Sequence, residues 1–162
     1  MIKKYFLTTT KKKFIFWSFF IPLFYTLLLS VFTSFILKEQ INKYSSALED
    51  LPIIIKLIVF SVIAPFIETF IFQFIIIEFL LSFIKKNKYL VILLSGFLFG
   101  FAHYFNMYNL IYSIAAMVAG IIFATIYIIA KDRKDIYFPF LLVFGVHAFI
   151  NLTSEIINFY LK

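Results

Sequence analysis

Between Lys13 and Lys38 the chain runs for 24 residues without a charge. At ~1.5 Å per residue, a helix of that length reaches ~36 Å, enough to cross a ~30 Å hydrocarbon core. Four further apolar stretches follow, at 51–84, 89–106, 109–130 and 136–161. The repetition of such runs leaves few options. The chain carries 64% apolar and only 14% charged residues, with a mean hydropathy of +1.03, whereas a soluble domain carries about 25% charged residues. A soluble monomer does not tolerate that much exposed apolar surface. The expected fold is therefore all-α, a polytopic transmembrane bundle of about five spans.

Two stretches need comment. Lys11–Lys13 ahead of the first run resembles a signal-peptide n-region, but the run is too long for an h-region and lacks a small-x-small exit, so it reads as a retained span. The 51–84 stretch is interrupted by Lys56, Pro65, Glu68, Gln73 and Glu78. It is longer than one span needs and too short for two. It reads as one helix kinked at Pro65, or as a half-helix feeding a span. No internal repeat or linker divides the chain. Residues 1–50 read as an N-terminal cytoplasmic segment, first span and outer loop, and 51–162 as the core.

Charge gives direction. The net charge is +7, but the basic residues fall in short clusters between apolar runs, as membrane-flanking charge does, so no nucleic-acid partner is expected. Lys3, Lys4 and Lys11–Lys13 form the first cluster, Lys85, Lys86 and Lys88 the second, and Lys131, Arg133 and Lys134 the third. With five spans, these eleven of the fifteen Lys and Arg residues share one side. The other side receives the 38–50 loop, the turn near Met107 and the C-terminal tail. An excess of basic residues marks the cytoplasmic face, which puts the N-terminus in and the C-terminus out. The abundance of Phe, Ile, Lys and Asn suggests a bacterial cytoplasmic membrane.

Polar groups at mid-bilayer cost about 2.5–3.5 kcal/mol on insertion scales and mark functional sites by default. Here they include Glu68, Thr69, Gln73, His103, His147 and Asn151, together with Lys56, Glu78 and Glu155. Glu78 and Glu155 lie near span ends, where carboxylates reach headgroups, and are expected to be structural. His147 and Asn151 are four apart, as are Phe99 and His103, and Thr69 and Gln73, so each pair shares a helix face. Counted from the cytoplasmic ends of their spans, Glu68, His103 and His147 lie ~24, ~22 and ~18 Å deep at ~1.5 Å per residue. One carboxylate and two imidazoles thus meet at similar depth.

Such a trio suits hydrolysis. A carboxylate beside an imidazole can deprotonate a water, and a second imidazole with a carboxamide can donate to the oxyanion that forms on a carbonyl. Two His and one Glu also form a Zn²⁺ ligand set, so both chemistries stay open on the residues alone. The absence of Cys removes thiol nucleophiles and thiolate ligands. The intramembrane protease signatures H-E-x-x-H, G-x-S-G and G-x-G-D are all absent.

Three segments, in order, resemble motifs of the CAAX-protease and bacteriocin-processing (CPBP) family of intramembrane glutamic endopeptidases. APFIETFIFQ at 64–73 is similar to its E-E-x-x-x-R element, FGFAH at 99–103 to F-x-x-x-H, and HAFIN at 147–151 to H-x-x-x-N. The resemblance spans about 60–155 and implies that Glu68 and His103 activate water while His147 and Asn151 form the oxyanion site. It implies no tightly bound metal and no cofactor, which weighs against zinc. Thr69 stands at the second Glu position and Gln73 at the Arg position, so both charges are missing together and neither is left alone. Thr69, Gln73 and Phe99 are expected to support the catalytic groups. The implied activity is endopeptidase cleavage of membrane-associated peptides or protein tails. The alternative is a catalytically impaired relative acting as a membrane immunity or partner-binding protein.

Overall fold

A computed structural model of the chain describes residues 2–32, 52–84, 87–107 and 109–160. Six helices and no strand occur among them: α1 (Ile2–Thr8), α2 (Lys11–Phe32), α3 (Ile53–Phe83), α4 (Lys88–Met107), α5 (Leu110–Asp132) and α6 (Pro139–Tyr160). Five of them, α2 to α6, are long and apolar enough to cross a membrane. They match the five expected spans. The 38–50 loop, Lys85 and Lys86 lie outside the described residues.

The centre of the bundle is α5. Half of its apolar window is buried, against 17–28% for the other spans. Its burial follows from small residues that let a neighbour approach. A Cβ added to Gly100 would stand 2.6 Å from the Ser113 carbonyl oxygen, and one added to Gly120 would stand 2.8 Å from Phe99 Cβ. Gly96 is as crowded, 2.8 Å from the Ile121 backbone nitrogen. α4 and α5 therefore form a close hairpin through the small-residue spacing on both helices. Ser113 closes it by donating to the Gly100 carbonyl at 2.7 Å. α2 leans on this centre from outside, its Tyr25 hydroxyl donating to the Ala115 carbonyl at 2.9 Å. Its outer residues Phe16, Phe20, Phe24 and Leu28 are exposed, as a lipid-facing stripe should be.

α3 is one continuous helix rather than a half-helix and a span. The interruption expected at Pro65 takes the form of π-helical winding on either side of it, at Val59–Ile63 and Thr69–Ile75. The reason begins with proline, which has no N–H to give back along the helix. The Ala64 N–H reaches five residues back, to Val59. The next bond in that register would run from Pro65 to Phe60, and proline cannot make it. Asn151 on α6 donates to the Phe60 carbonyl instead, at 3.0 Å. Neighbouring helices commonly satisfy a backbone group that a transmembrane proline has freed.

The described members of the three basic clusters include Lys88, Lys131 and Arg133, which gather at one end of the bundle. Lys88 pairs with Asp132 at 2.5 Å. Lys131 and the Tyr127 hydroxyl both reach Glu78, Tyr127 at 2.7 Å. Arg133, nearly buried, donates to the Phe6 and Thr9 carbonyls and pairs with Asp135. That hydrogen bond from Arg133 holds the Asp135 carboxyl below the usual carboxylate range. Its guanidinium also lies 4.9 Å from the Phe14 ring centroid. Arg133 is thus an anchor for the short helix α1, beyond a general flanking charge. Glu78 is the span-end carboxylate the sequence suggests. Glu155 departs from that expectation, because it is buried. It follows His147 and Asn151 at the same four-residue interval, which keeps it on the inward face of α6.

Candidate active site

Glu68 closes the α-helical turn of α3 that starts at Ala64, immediately before the second π segment. Its carboxylate lies between two imidazoles carried by different helices. Oε1 is 3.8 Å from His103 Nε2 on α4, and Oε2 is 3.5 Å from His147 Nε2 on α6. Three spans therefore converge at one depth, as the counting of residues from the span ends anticipates. Both separations exceed a good hydrogen bond, so the carboxylate touches both rings without committing its lone pairs to either.

The two imidazoles are held differently. His103 Nδ1 lies 2.8 Å from the Phe99 carbonyl oxygen, one turn back on α4. A carbonyl only accepts, so Nδ1 carries the proton and Nε2 of the neutral ring turns a lone pair toward Glu68. His147 Nδ1 instead faces the Thr69 hydroxyl at 3.3 Å, a partner able to donate or accept. Aromatic rings wall the pair. Phe99 lies 4.4 Å from the His103 ring and 5.9 Å from the His147 ring, centroid to centroid. Phe123 lies 4.6 Å from His147, and Tyr112 lies 5.6 Å from His103.

Of the residues singled out in the sequence, Glu68, Thr69, His103, His147 and Phe99 form one contact set. Asn151 stands one turn from His147, and its hydrogen bond among the described residues runs to Phe60. One of its two amide N–H groups is therefore engaged in holding α6 to α3. Gln73 is completely buried, and neither its amide oxygen nor its nitrogen has a hydrogen-bond partner among the described residues. Thr69, also completely buried, is closer to the centre than an edge residue. No three His, Asp or Glu side chains among the described residues are arranged to hold a metal ion.

Phe123 and Tyr112, both on α5, line the site without having been singled out. With 25 Phe and 10 Tyr in the chain, nothing in their spacing distinguishes them from ordinary lipid-facing aromatics. The Phe60 carbonyl, a backbone group, had no sequence signal except the proline five residues on.

A family model described as type II CAAX prenyl endopeptidase Rce1-like matches residues 50–153. The match covers all three motifs and every residue of the contact set, and it bears out the CPBP resemblance. No curated protein and no solved structure matches the chain.

Proposed function

The chain belongs to the Rce1-like family of type II CAAX prenyl endopeptidases, and from that premise we propose that it cleaves peptide bonds inside the membrane with a water activated by Glu68 and His103. The observation that carries the reading is the position of Glu68 between the two imidazoles, at 3.8 and 3.5 Å. A water donating to the Glu68 carboxylate and to the His103 Nε2 lone pair is oriented by two acceptors. Glu68 takes its proton as the oxygen attacks the scissile carbonyl carbon. The negative charge that forms on the carbonyl oxygen is met by N–H groups of His147 and of Asn151, whose carboxamide keeps one N–H beyond the one given to Phe60. The proton held on Glu68 then passes to the departing amide nitrogen as the C–N bond breaks.

The substrate in this reading is a membrane-associated peptide or protein tail, consistent with the family's prenylated C-terminal targets. Lipid surrounds the site, and no nucleic acid takes part. We read the mechanism as metal-free, since water activation is assigned to a carboxylate and an imidazole. The basic end of the bundle is read as cytoplasmic, with the N-terminus in and the C-terminus out. Reporter fusions after Lys88 and after Lys162 should then report opposite sides, and matching signals overturn that orientation.

The test uses purified protein in detergent and internally quenched peptides bearing a prenylated cysteine near the C-terminus. Glu68→Gln keeps size and hydrogen bonding and loses basicity. Turnover is expected to fall about 10²–10⁴-fold, the usual contribution of a general base, while the thermal midpoint stays in place. Chelators are expected to leave the wild-type rate unchanged; a rate that falls with chelator and returns with Zn²⁺ defeats the metal-free mechanism. Wild-type protein that cleaves none of the peptides, or Glu68→Gln protein as fast as wild type, defeats the reading. The first result favours the alternative of a catalytically impaired membrane immunity or partner-binding protein, to which the uncharged Thr69 and Gln73 pair lends its support; the second leaves a peptidase whose base is not Glu68.

A further inference from the structure

Most hydroxyls in these helices donate to a backbone carbonyl, as Ser95 and Ser113 do across helices, and Thr69 does not. Thr8, Ser18, Thr26, Thr125 and Thr153 each donate to the carbonyl four residues back, at 2.7–3.0 Å. Thr69 starts a π-helical segment, and its hydroxyl makes no such bond; its partner among the described residues is His147 Nδ1. The side chain is completely buried, so water cannot serve it from the surface. A hydroxyl has one proton to place and two lone pairs to offer. Were Thr69 to accept from an Nδ1–H, its own proton would have no acceptor, a costly arrangement for a buried donor.

The far side of the ring points the same way. His147 Nε2 faces the Glu68 carboxylate at 3.5 Å. An Nε2–H turns a donor toward that carboxylate, whereas at His103 the wider 3.8 Å gap lets the water proposed above donate to both acceptors. We infer that Thr69 donates its hydroxyl proton to His147 Nδ1 and so fixes His147 as the Nε2–H tautomer, opposite to His103, whose proton sits on Nδ1 against the Phe99 carbonyl. One ring then offers the site a lone pair and the other an N–H. Its catalytic meaning rests on the mechanism proposed above, in which His103 helps hold the water and His147 meets the oxyanion. Thr69 is a positioning residue in that scheme. A carboxylate at position 69 accepts only, and would draw the His147 proton to Nδ1 or charge the ring. A threonine is the residue type that lets a neutral His147 keep its N–H toward the substrate.

The chain has only two histidines, which makes the inference readable by ¹⁵N NMR of histidine-labelled, untagged protein in detergent at neutral pH. Long-range ¹H–¹⁵N correlations separate protonated from unprotonated ring nitrogens, and His103→Gln assigns the signals by leaving one ring. The expected spectrum holds one Nδ1–H ring, His103, and one Nε2–H ring, His147. Thr69→Val, isosteric but without the proton, should release the His147 tautomer and lower kcat about 10-fold on the quenched peptides with KM unchanged, less than the ~10²–10³-fold lost when an oxyanion donor is removed outright. Thr69→Ser should restore both. A wild-type His147 that carries its proton on Nδ1, or on both nitrogens, overturns the inference, as does a His147 spectrum indifferent to Thr69→Val. The spectrum does not depend on cleavage. If Glu68→Gln proves harmless while the tautomers stand as described, the mechanism fails and the role of Thr69 survives as a structural one.

Discussion

α3 and the α4–α5 hairpin are both apolar enough to cross a bilayer, yet they satisfy their backbones by opposite means. The hairpin keeps regular winding and gains its rigidity from absence of side chain, with Gly96, Gly100 and Gly120 letting two backbones approach. α3 gives up α-helical winding at Val59–Ile63 and Thr69–Ile75 and depends on its neighbours. Asn151 takes the Phe60 carbonyl, Ser95 takes the Phe72 carbonyl at 2.8 Å, and His147 takes the Thr69 hydroxyl. π-turns occur disproportionately at functional sites because they re-aim side chains within an otherwise continuous helix. The hairpin therefore serves as a fixed frame that presents His103, while α3 is shaped by what it carries. Locally inconsistent winding is where a functional site is expected to show itself.

If α3 is shaped by what it carries, its polar positions depend on one another. Gln73 is completely buried without a hydrogen-bond partner among the described residues, one turn from Thr69. Gln73→Arg alone places a guanidinium where no carboxylate other than Glu68 belongs to the contact set, and is expected to destabilise the protein by about 3–5 kcal/mol, the penalty for an unpaired buried charge. Adding Thr69→Glu recreates the charge pattern of the family motif and should recover most of that loss. Thermal unfolding in detergent of the two single variants and the double variant gives the coupling directly. Additive effects would mean that α3 is no more interdependent than the hairpin.

The difference between the two regions also explains what the sequence could tell. The spans were legible because the hydrocarbon core fixes a minimum apolar length, and all five match helices of the structure. Glu68, His103 and His147 were legible because lipid makes each of them conspicuous, and their depths could be counted from the basic clusters. The π-winding was not legible. A proline announces a missing N–H, but the sequence does not say whether a kink, a break or a changed hydrogen-bond register absorbs it. Arg133 was visible only as flanking charge, since its hold on the Phe6 and Thr9 carbonyls depends on where α1 lies. Thr69 drew notice as a departure from a motif; its hydroxyl's partner sits 78 residues away, beyond any spacing rule. Phe123 and Tyr112 were hidden by numbers, as two aromatics in a chain that is 22% aromatic.

In the α4–α5 frame a smaller effect is carried by single methyl groups. A Cβ on Gly100 would meet the Ser113 carbonyl oxygen and Met117 Cβ, both at 2.6 Å, and Met117 Cα at 2.9 Å. Two of these are backbone atoms of a helix packed on both sides, so the clash cannot be relieved by turning a side chain. Gly100→Ala should force α4 away from α5, stretch the Ser113 bond to the Gly100 carbonyl, and destabilise by about 1–3 kcal/mol, the usual range for overpacking a tight core. Gly145, on α6, offers the control. Its nearest neighbour would be the ring tip of Phe19 at 3.9 Å, an ordinary contact. Gly145→Ala should therefore be neutral, or stabilise by up to about 1 kcal/mol through helix propensity alone. Because His103 rides on α4 one turn beyond Phe99, Gly100→Ala should also slow peptide cleavage at temperatures where the protein is still folded, and Gly145→Ala should not. Equal unfolding midpoints for the two variants would show that the close approach of α4 and α5 contributes nothing to the frame, and would remove the contrast with α3 from which it was drawn.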